Sequence, residues 1–193
     1  MSCIGIDESG RGSLFGPVFV AGVSFQNDNI EQYEWYNLLN DSKKLSPKKR
    51  KYLVPLIKQH STFHISSIDN NVIDDINILN ATFIGMNDCI SNLKSEHSKV
   101  FIDGSSFTPN DDNNNVDFTT VIKGDSIFKC IMAASILAKE AHDDYINNLD
   151  FDTYYIYDIF NNMGYGTKRH IFAITNFGLS SLHRVSFCSK FTQ

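Results

Sequence analysis

No stretch of the 193-residue sequence approaches the roughly 20 consecutive apolar residues that cross a bilayer. The longest runs, around Pro17 to Phe25 and Ile131 to Ala138, are far shorter, so no membrane span is expected. The opening Met-Ser-Cys-Ile-Gly-Ile-Asp-Glu lacks a basic flank and a long apolar core, and carboxylates arrive at once. A secretory signal is therefore not expected, and the chain reads as cytoplasmic. Cysteine is sparse and never paired as CxxC: Cys3, Cys89, Cys130 and Cys188 stand far apart in the sequence. That spacing argues against a zinc ribbon or a redox pair and leaves reduced thiols filling the core. Tryptophan occurs once, against 15 phenylalanines, which supplies aromatic bulk without an obvious stacking box. With 42% apolar and 20% charged residues, composition excludes disordered, collagenous and coiled-coil classes and predicts one folded domain over residues 1–193.

The net charge of −5 is unpromising for a nucleic-acid binder, but the charge is unevenly spread. Ser42 to Lys58 carries seven basic residues and no acid, and Asn161 to Gln193 carries Lys168, Arg169, Arg184 and Lys190, again with no acid. A fold that brought these segments beside an acidic cleft would suit a polyanion and metal ions. The same runs also fit a solvated helix face and a basic tail.

Cys3 to Asp7 and Pro17 to Phe25 read as strands of a hairpin, joined by a turn containing Gly10, Gly12 and Gly16. Ile30 to Leu39 reads as a short helix. Ser46-Pro47 is a helix start with Ser as cap and Pro at the first helical position, and Pro55 limits or kinks that helix. Thr62 to Ile68 reads as a strand, Ile78 to Ser95 as a helix, Lys99 to Asp103 as a strand, and Asn110 to Asn115 as a surface loop. After a strand at Phe118 to Ile122, the apolar spacing from Ile127 to Tyr145 predicts a long helix opened by Asp125. A last helix spans Lys168 to Phe177 and stops at Gly178. Strands that pair locally and then alternate with helices predict an α/β domain with a mixed sheet.

Four acids occupy notable positions. Asp7 and Glu8 end the first strand just before Gly10-Arg11-Gly12, Asp103 ends another short strand before Gly104, and Asp125 follows Gly124. Strand ends that open into glycine-rich turns present ligand-facing groups in α/β domains, and crowded carboxylates call for a proton or a cation. Oxygen ligands with no His or Cys suit Mg²⁺ or Mn²⁺ rather than zinc, and four carboxylates suffice for two such ions. Singly, Asp125 also fits a helix cap, Asp103 a turn former, and Asp7-Glu8 a solvated hairpin end.

The run Gly5-Ile6-Asp7-Glu8-Ser9-Gly10-Arg11-Gly12-Ser13-Leu14-Phe15-Gly16-Pro17-Val18 strongly resembles ribonuclease HII, the type 2 ribonuclease H family. Further blocks agree in order: Asp41-Ser42-Lys43-Lys44-Leu45, Ile76-Asn77-Ile78 with Ala81-Thr82, Asp103-Gly104, Lys123-Gly124-Asp125, Ala133 to Lys139, Gly164-Tyr165-Gly166-Thr167, and His183 to Phe187. Many short motifs in register are far more specific than one.

The resemblance implies a ribonuclease H-like fold, a mixed central sheet flanked by helices. It also implies hydrolysis of RNA in RNA–DNA hybrids and nicking 5′ of single ribonucleotides in duplex DNA, leaving 3′-hydroxyl and 5′-phosphate ends. Carried across by motif, Asp7, Glu8, Asp103 and Asp125 resemble the acidic tetrad that binds two Mg²⁺ or Mn²⁺ ions. Gly10, Arg11 and Gly12 resemble the loop that feels the ribose 2′-hydroxyl, and Tyr165 the tyrosine that packs on the following sugar. Lys43, Lys44 and Arg184 are expected at substrate, whereas Lys139, 14 residues beyond Asp125, is expected about 21 Å away along an uninterrupted helix, too far for direct catalysis. Ser13 stands where the family often has Pro, and His142 near a position that is often basic. Arg11 and a chain opening at the catalytic strand favour type 2 over type 3. A monomer is expected, and Phe187 to Gln193 shows no clear sliding-clamp motif. Two rivals are another two-metal nuclease or strand-transfer enzyme, favoured if all-DNA duplex is cut, and a non-catalytic hybrid-binding module.

Overall fold

A computed structural model describes residues 3–25, 29–95 and 98–192; Met1, Ser2 and Gln193, the ends of two segments read above, lie outside them. Five strands form one mixed sheet in the order β3-β2-β1-β4-β5. They are β1 (Cys3–Ser9), β2 (Val18–Phe25), β3 (Ser61–Ile68), β4 (Lys99–Asp103) and β5 (Asp117–Val121). The first three pair antiparallel, and β4 and β5 join β1 in parallel. The helices are α1 (Glu34–Asn37), α2 (Pro47–His60), α3 (Asn70–Leu93), α4 (Lys129–Asn147), α5 (Phe151–Tyr154), α6 (Ile159–Asn162), α7 (Lys168–Phe177) and α8 (Val185–Cys188). Among the described residues, no helix is long and apolar enough to cross a membrane.

Alternation along the strands builds a layer on each face. Ala21 and Val23 of β2 meet Leu53 and Ile57 of α2 and the apolar stripe of α4 on one side. Ile4, Ile6, Val20, Val100 and Ile102 meet Met86, Cys89 and Ile90 of α3 on the other. Gly5 faces α4 with no side chain to hold it off: a Cβ there would overlap the Cys130 backbone. Close approach of helix and strand is what this glycine permits. A third cluster, with Phe15, Ile146, Tyr157, Ile159 and Ile174 at its centre, seats the C-terminal helices against the β1–β2 connection.

Several expectations need correction. Pro55 does not end its helix, which continues to His60. The segment Ile30 to Leu39 is a 3₁₀ turn at Ile30–Gln32 followed by the single-turn α1. Helix α3 begins at Asn70, capped by Asp69, not at Ile78. Asn77 interrupts it with φ 68° and ψ 162°, and its Oδ1 accepts from Leu79 and Asn80 N–H, restarting the helix near the expected position. The Asn110 to Asn115 loop is anchored: Asn113 is buried and donates to Asn87 and Ser91. Cys3 and Cys130, far apart in sequence, bring their sulfurs to 3.0 Å, because the first strand starts beside the first turn of α4. Both thiols are free.

Arg50 also departs from the solvated-face reading. It is buried, and donates to Glu140 (2.5 Å), Asp143 (3.0 Å) and the carbonyl of Leu45 (3.1 Å). Lys139 adds a second cation to Asp143 at 2.7 Å. This ion network ties the turn at Ser42–Lys44 to α4 and so fixes one wall of the site described next.

Candidate active site

The parallel register of β1 and β4 pairs Ile6 with Ile102, which places Asp7 and Asp103 at the same level and on the α4 side of the sheet. Asp125 arrives from the next connection. It does not open α4 as expected: it lies in a 3₁₀ turn at Gly124–Ser126, and the helix starts only at Lys129. The turn is held by Asp103, whose Oδ1 accepts from Gly124 N–H at 2.6 Å. A side chain at 124 would overlap Ile131. Lys123 enters with φ 58°. The consequence is convergence: oxygens of Asp7, Asp103 and Asp125 all lie within 4.8 Å of one another.

Burial and mutual repulsion raise the carboxyl of Asp7 well above its usual range, with Glu8 and Asp103 adding to the effect of desolvation. Asp125 is raised for the same reasons, its burial first and then the charge of Asp103. Glu8 stands apart from the trio. Its Oε1 accepts from Arg11 at 3.2 Å, while its buried Oε2 has no partner. Burial raises its carboxyl too, against the pull of Arg11. Crowded acids held in costly proximity, with a free oxygen beside them, fit hard divalent cations as Mg²⁺ or Mn²⁺ would require.

Beside the acids lies a groove of about 450 Å³ lined by Glu8, Gly10, Arg11, Gly12, Ser42, Lys43, Ser135, Lys139 and Tyr165. Of these, Ser42 has no signal of its own in the sequence as a substrate contact, whereas Ser135 and Lys139, one turn apart on the long helix, read as bracing that helix or meeting substrate. Ser135 Oγ donates to Ser42 Oγ at 2.9 Å, joining the lysine turn to α4. α4 starts four residues after Asp125, so the helix between Asp125 and Lys139 is interrupted, and Lys139 lines the groove while its Nζ bonds Asp143 at 2.7 Å. Lys44 bonds Ser126 Oγ at 3.1 Å, next to Asp125. Gly10 has φ +88°, and a side chain there would strike His142. Gly12 has no such constraint. A Cβ at 12 would lie 3.8 Å from the Tyr165 ring, so its bareness keeps the groove open rather than the turn closed.

Arg184 is the clearest correction among the site residues. It is fully buried and donates to the carbonyls of Gly16 (2.9 Å), Arg11 (3.0 Å) and Ser13 (2.8 Å). A guanidinium so enclosed has no access to a phosphate; it holds the glycine loop from behind. Burial lowers its pKa to about 10, which leaves it charged at neutral pH.

Next to it, Tyr165 is braced by two histidines. The Tyr165 carbonyl accepts from His170 Nδ1 at 3.1 Å, and Ser180 N–H donates to His183 Nδ1 at 2.9 Å. The proton between the facing Nε2 atoms, 3.0 Å apart, must therefore sit on His183. Both rings are neutral in this relay. Burial lowers the pKa of His170, and that of His183 to about 4. Unfolded histidines bind protons near 6.5, so between pH 6.5 and 4 the unfolded state takes up more protons and stability falls with falling pH. We expect a loss of about 3 kcal/mol from His183 over that window. Urea titrations at pH 7 and 4.5 check it: His183→Gln should flatten the slope, and an unchanged slope would contradict the neutral relay.

Residues 4–190 match the family model described as Ribonuclease HII. The chain belongs to the ribonuclease HII family. Curated ribonuclease HII relatives include one from Caldicellulosiruptor bescii, 42% identical over 95% of this chain and 84% of its own. Another, from Borrelia garinii subsp. bavariensis, is 43% identical over 95% and 97%. Among solved structures, the ribonuclease HII in the PCNA complex from Archaeoglobus fulgidus superposes with a TM-score of 0.80 at 22% identity, covering 99% of this chain and 97% of that one. The Mn²⁺ complex of Bst-RNase HIII gives 0.72 at 20%, covering 99% and 69%, which supports the shared fold. This ribonuclease HII is thus a type 2 ribonuclease H, a hydrolase whose family acts on RNA–DNA hybrids and depends on divalent metal ions.

Proposed function

We propose that the 193 residues act as one monomeric catalytic unit that nicks duplex DNA 5′ to a single embedded ribonucleotide, besides cutting hybrids. The observation that supports it is the convergence of Asp7, Asp103 and Asp125 within 4.8 Å, beside a groove walled by Gly10, Gly12 and Tyr165. Asp7, Glu8, Asp103 and Asp125 would hold two ions, Mg²⁺ or Mn²⁺, which when bound supply Lewis acidity at the scissile phosphate. Asp125 orients the attacking water. The new P–O bond forms to that water and the bond to O3′ breaks, leaving a 3′-hydroxyl and a 5′-phosphate. The bare backbone at Gly10–Gly12 lets the loop approach the 2′-hydroxyl, the group that separates RNA from DNA. Tyr165, 37% exposed, offers its ring to the following sugar. Lys43 and Lys44 reach the backbone phosphates.

A duplex carrying one ribonucleotide should be nicked on its 5′ side with Mg²⁺ or Mn²⁺, while all-DNA duplex stays intact. Equal cutting of both would overturn this reading in favour of a general two-metal nuclease. Gly12→Val should fold, since its Cβ has room, yet lose about tenfold or more in kcat/KM on that substrate. Tyr165→Phe should keep the ring packing and lose only the contribution of the hydroxyl. Wild-type turnover by Gly12→Val would remove the loop from substrate recognition.

A further inference from the structure

Two large aromatic side chains stand in water on the far side of α7, where a surface helix is ordinarily polar. His170, Ala173 and Ile174 already face the core, yet Phe172 is 65% exposed and Phe177 62%. Tyr155 (56%) and Phe151 (60%), from the preceding turn and α5, stack on one another at 5.9 Å beside them. With Ile156, the Tyr155, Phe172 and Phe177 side chains line a groove of about 450 Å³, separate from the catalytic one. Clustered large apolar side chains left in water mark a surface that another molecule covers.

The charge at the groove narrows the choice of occupant. Lys168 and Arg169 line it and occupy the first turn of α7, where the helix dipole favours acids. Arg169 is nearly free, reaching Asp158 only at 4.0 Å. Two cations and a helix N-terminus thus make one end positive while the rest is apolar. A nucleic-acid strand needs a run of cations along its phosphates, and this groove offers only two, gathered at one end.

We propose that this groove docks a protein partner through an acidic peptide segment bearing bulky apolar side chains, the apolar groups entering between Phe172 and Tyr155 and the carboxylates meeting Lys168 and Arg169. The site is independent of catalysis, so it serves to recruit the nuclease rather than to run its chemistry.

Fluorescence anisotropy with a labelled short peptide of Asp and Glu interrupted by Leu-Phe tests this on the full chain. Saturable binding is expected, weakened about tenfold or more by Arg169→Glu and separately by Phe172→Ser, with cleavage of a hybrid unchanged in both variants. Circular dichroism melts confirm that both variants fold. Equal binding of a peptide of Asp and Glu alone would overturn the proposal, reducing it to charge attraction. So would a labelled oligothymidylate that responds to the same substitutions when the peptide does not. Concentration-dependent dimerisation abolished by Phe172→Ser would assign the face to a second copy, and absence of saturable peptide binding would leave the groove without this partner.

Discussion

Replacing Asp7 by Asn should abolish hybrid cleavage and at the same time raise the melting temperature of the metal-free protein. The two effects have one origin. Asp7 is a buried acid pressed against Glu8 and Asp103, and its carboxyl is held well above the usual range. An acid whose folded pKa is raised binds more protons folded than unfolded, so its contribution to stability declines as pH rises through that window. At neutral pH the wild type bears that cost, and the neutral amide does not. Divalent cations offset the same repulsion by binding the folded state alone. Mg²⁺ or Mn²⁺ should therefore raise the melting temperature of the wild type and leave that of Asp7→Asn nearly unmoved. Activity should fall about a thousandfold or more, as expected when several kcal/mol of charge stabilisation is lost from the reacting phosphate. Calorimetric scans with and without the ion, run beside a cleavage assay, read both consequences. A variant that melts lower than wild type without metal would refute the electrostatic account, and one that still cuts would remove Asp7 from the metal site.

The second large effect concerns Arg184. Arg184→Met keeps much of the side-chain volume but withdraws three donors from the carbonyls of Arg11, Ser13 and Gly16. Charge-assisted bonds are stronger than neutral ones, and buried carbonyls left bare bear the desolvation cost in full, so we expect a loss of about 4 kcal/mol. The released loop is the one whose backbone walls the substrate groove, so kcat/KM should drop as well. A phosphate contact would give a different signature: normal stability, weaker binding and a shallower dependence on salt. Urea unfolding and a salt series on the variant separate the two.

How far the sequence revealed this molecule depends on the range of the interactions involved. Strands β1, β2 and β4 were legible because runs such as Val100-Phe101-Ile102 satisfy a local rule, and the acids were legible because strand ends before glycine are a local pattern too. The motif blocks pointed to Asp7, Glu8, Asp103 and Asp125 alike; three of them converge, while Glu8 is turned toward Arg11. What local rules missed was decided across the fold. The first half of α3 is rich in Asn and Asp, and the sequence reads as helix only from Ile78, yet Asp69 caps this half and Ile73 buries it. Asp125 looked like a helix cap, but its turn answers to Asp103, 22 residues away. Arg50 reads as part of a solvated helix face and Arg184 as a substrate contact, and both are buried by partners that lie 90 or more residues distant. The proximity of Cys3 and Cys130 and the histidine relay behind Tyr165 carry no spacing signal at all.

The contact between Arg184 and Arg11 spans 173 positions and closes the glycine loop with a segment made long after it. On a ribosome the first strand, with two of its acids, emerges long before the segment that fastens the loop beside it. The nascent polypeptide thus carries its acidic ligands early but has no braced cleft to present to a hybrid. Any truncation that removes the stretch from Ser180 to Arg184 should yield a chain with the sheet assembled and the blade unset.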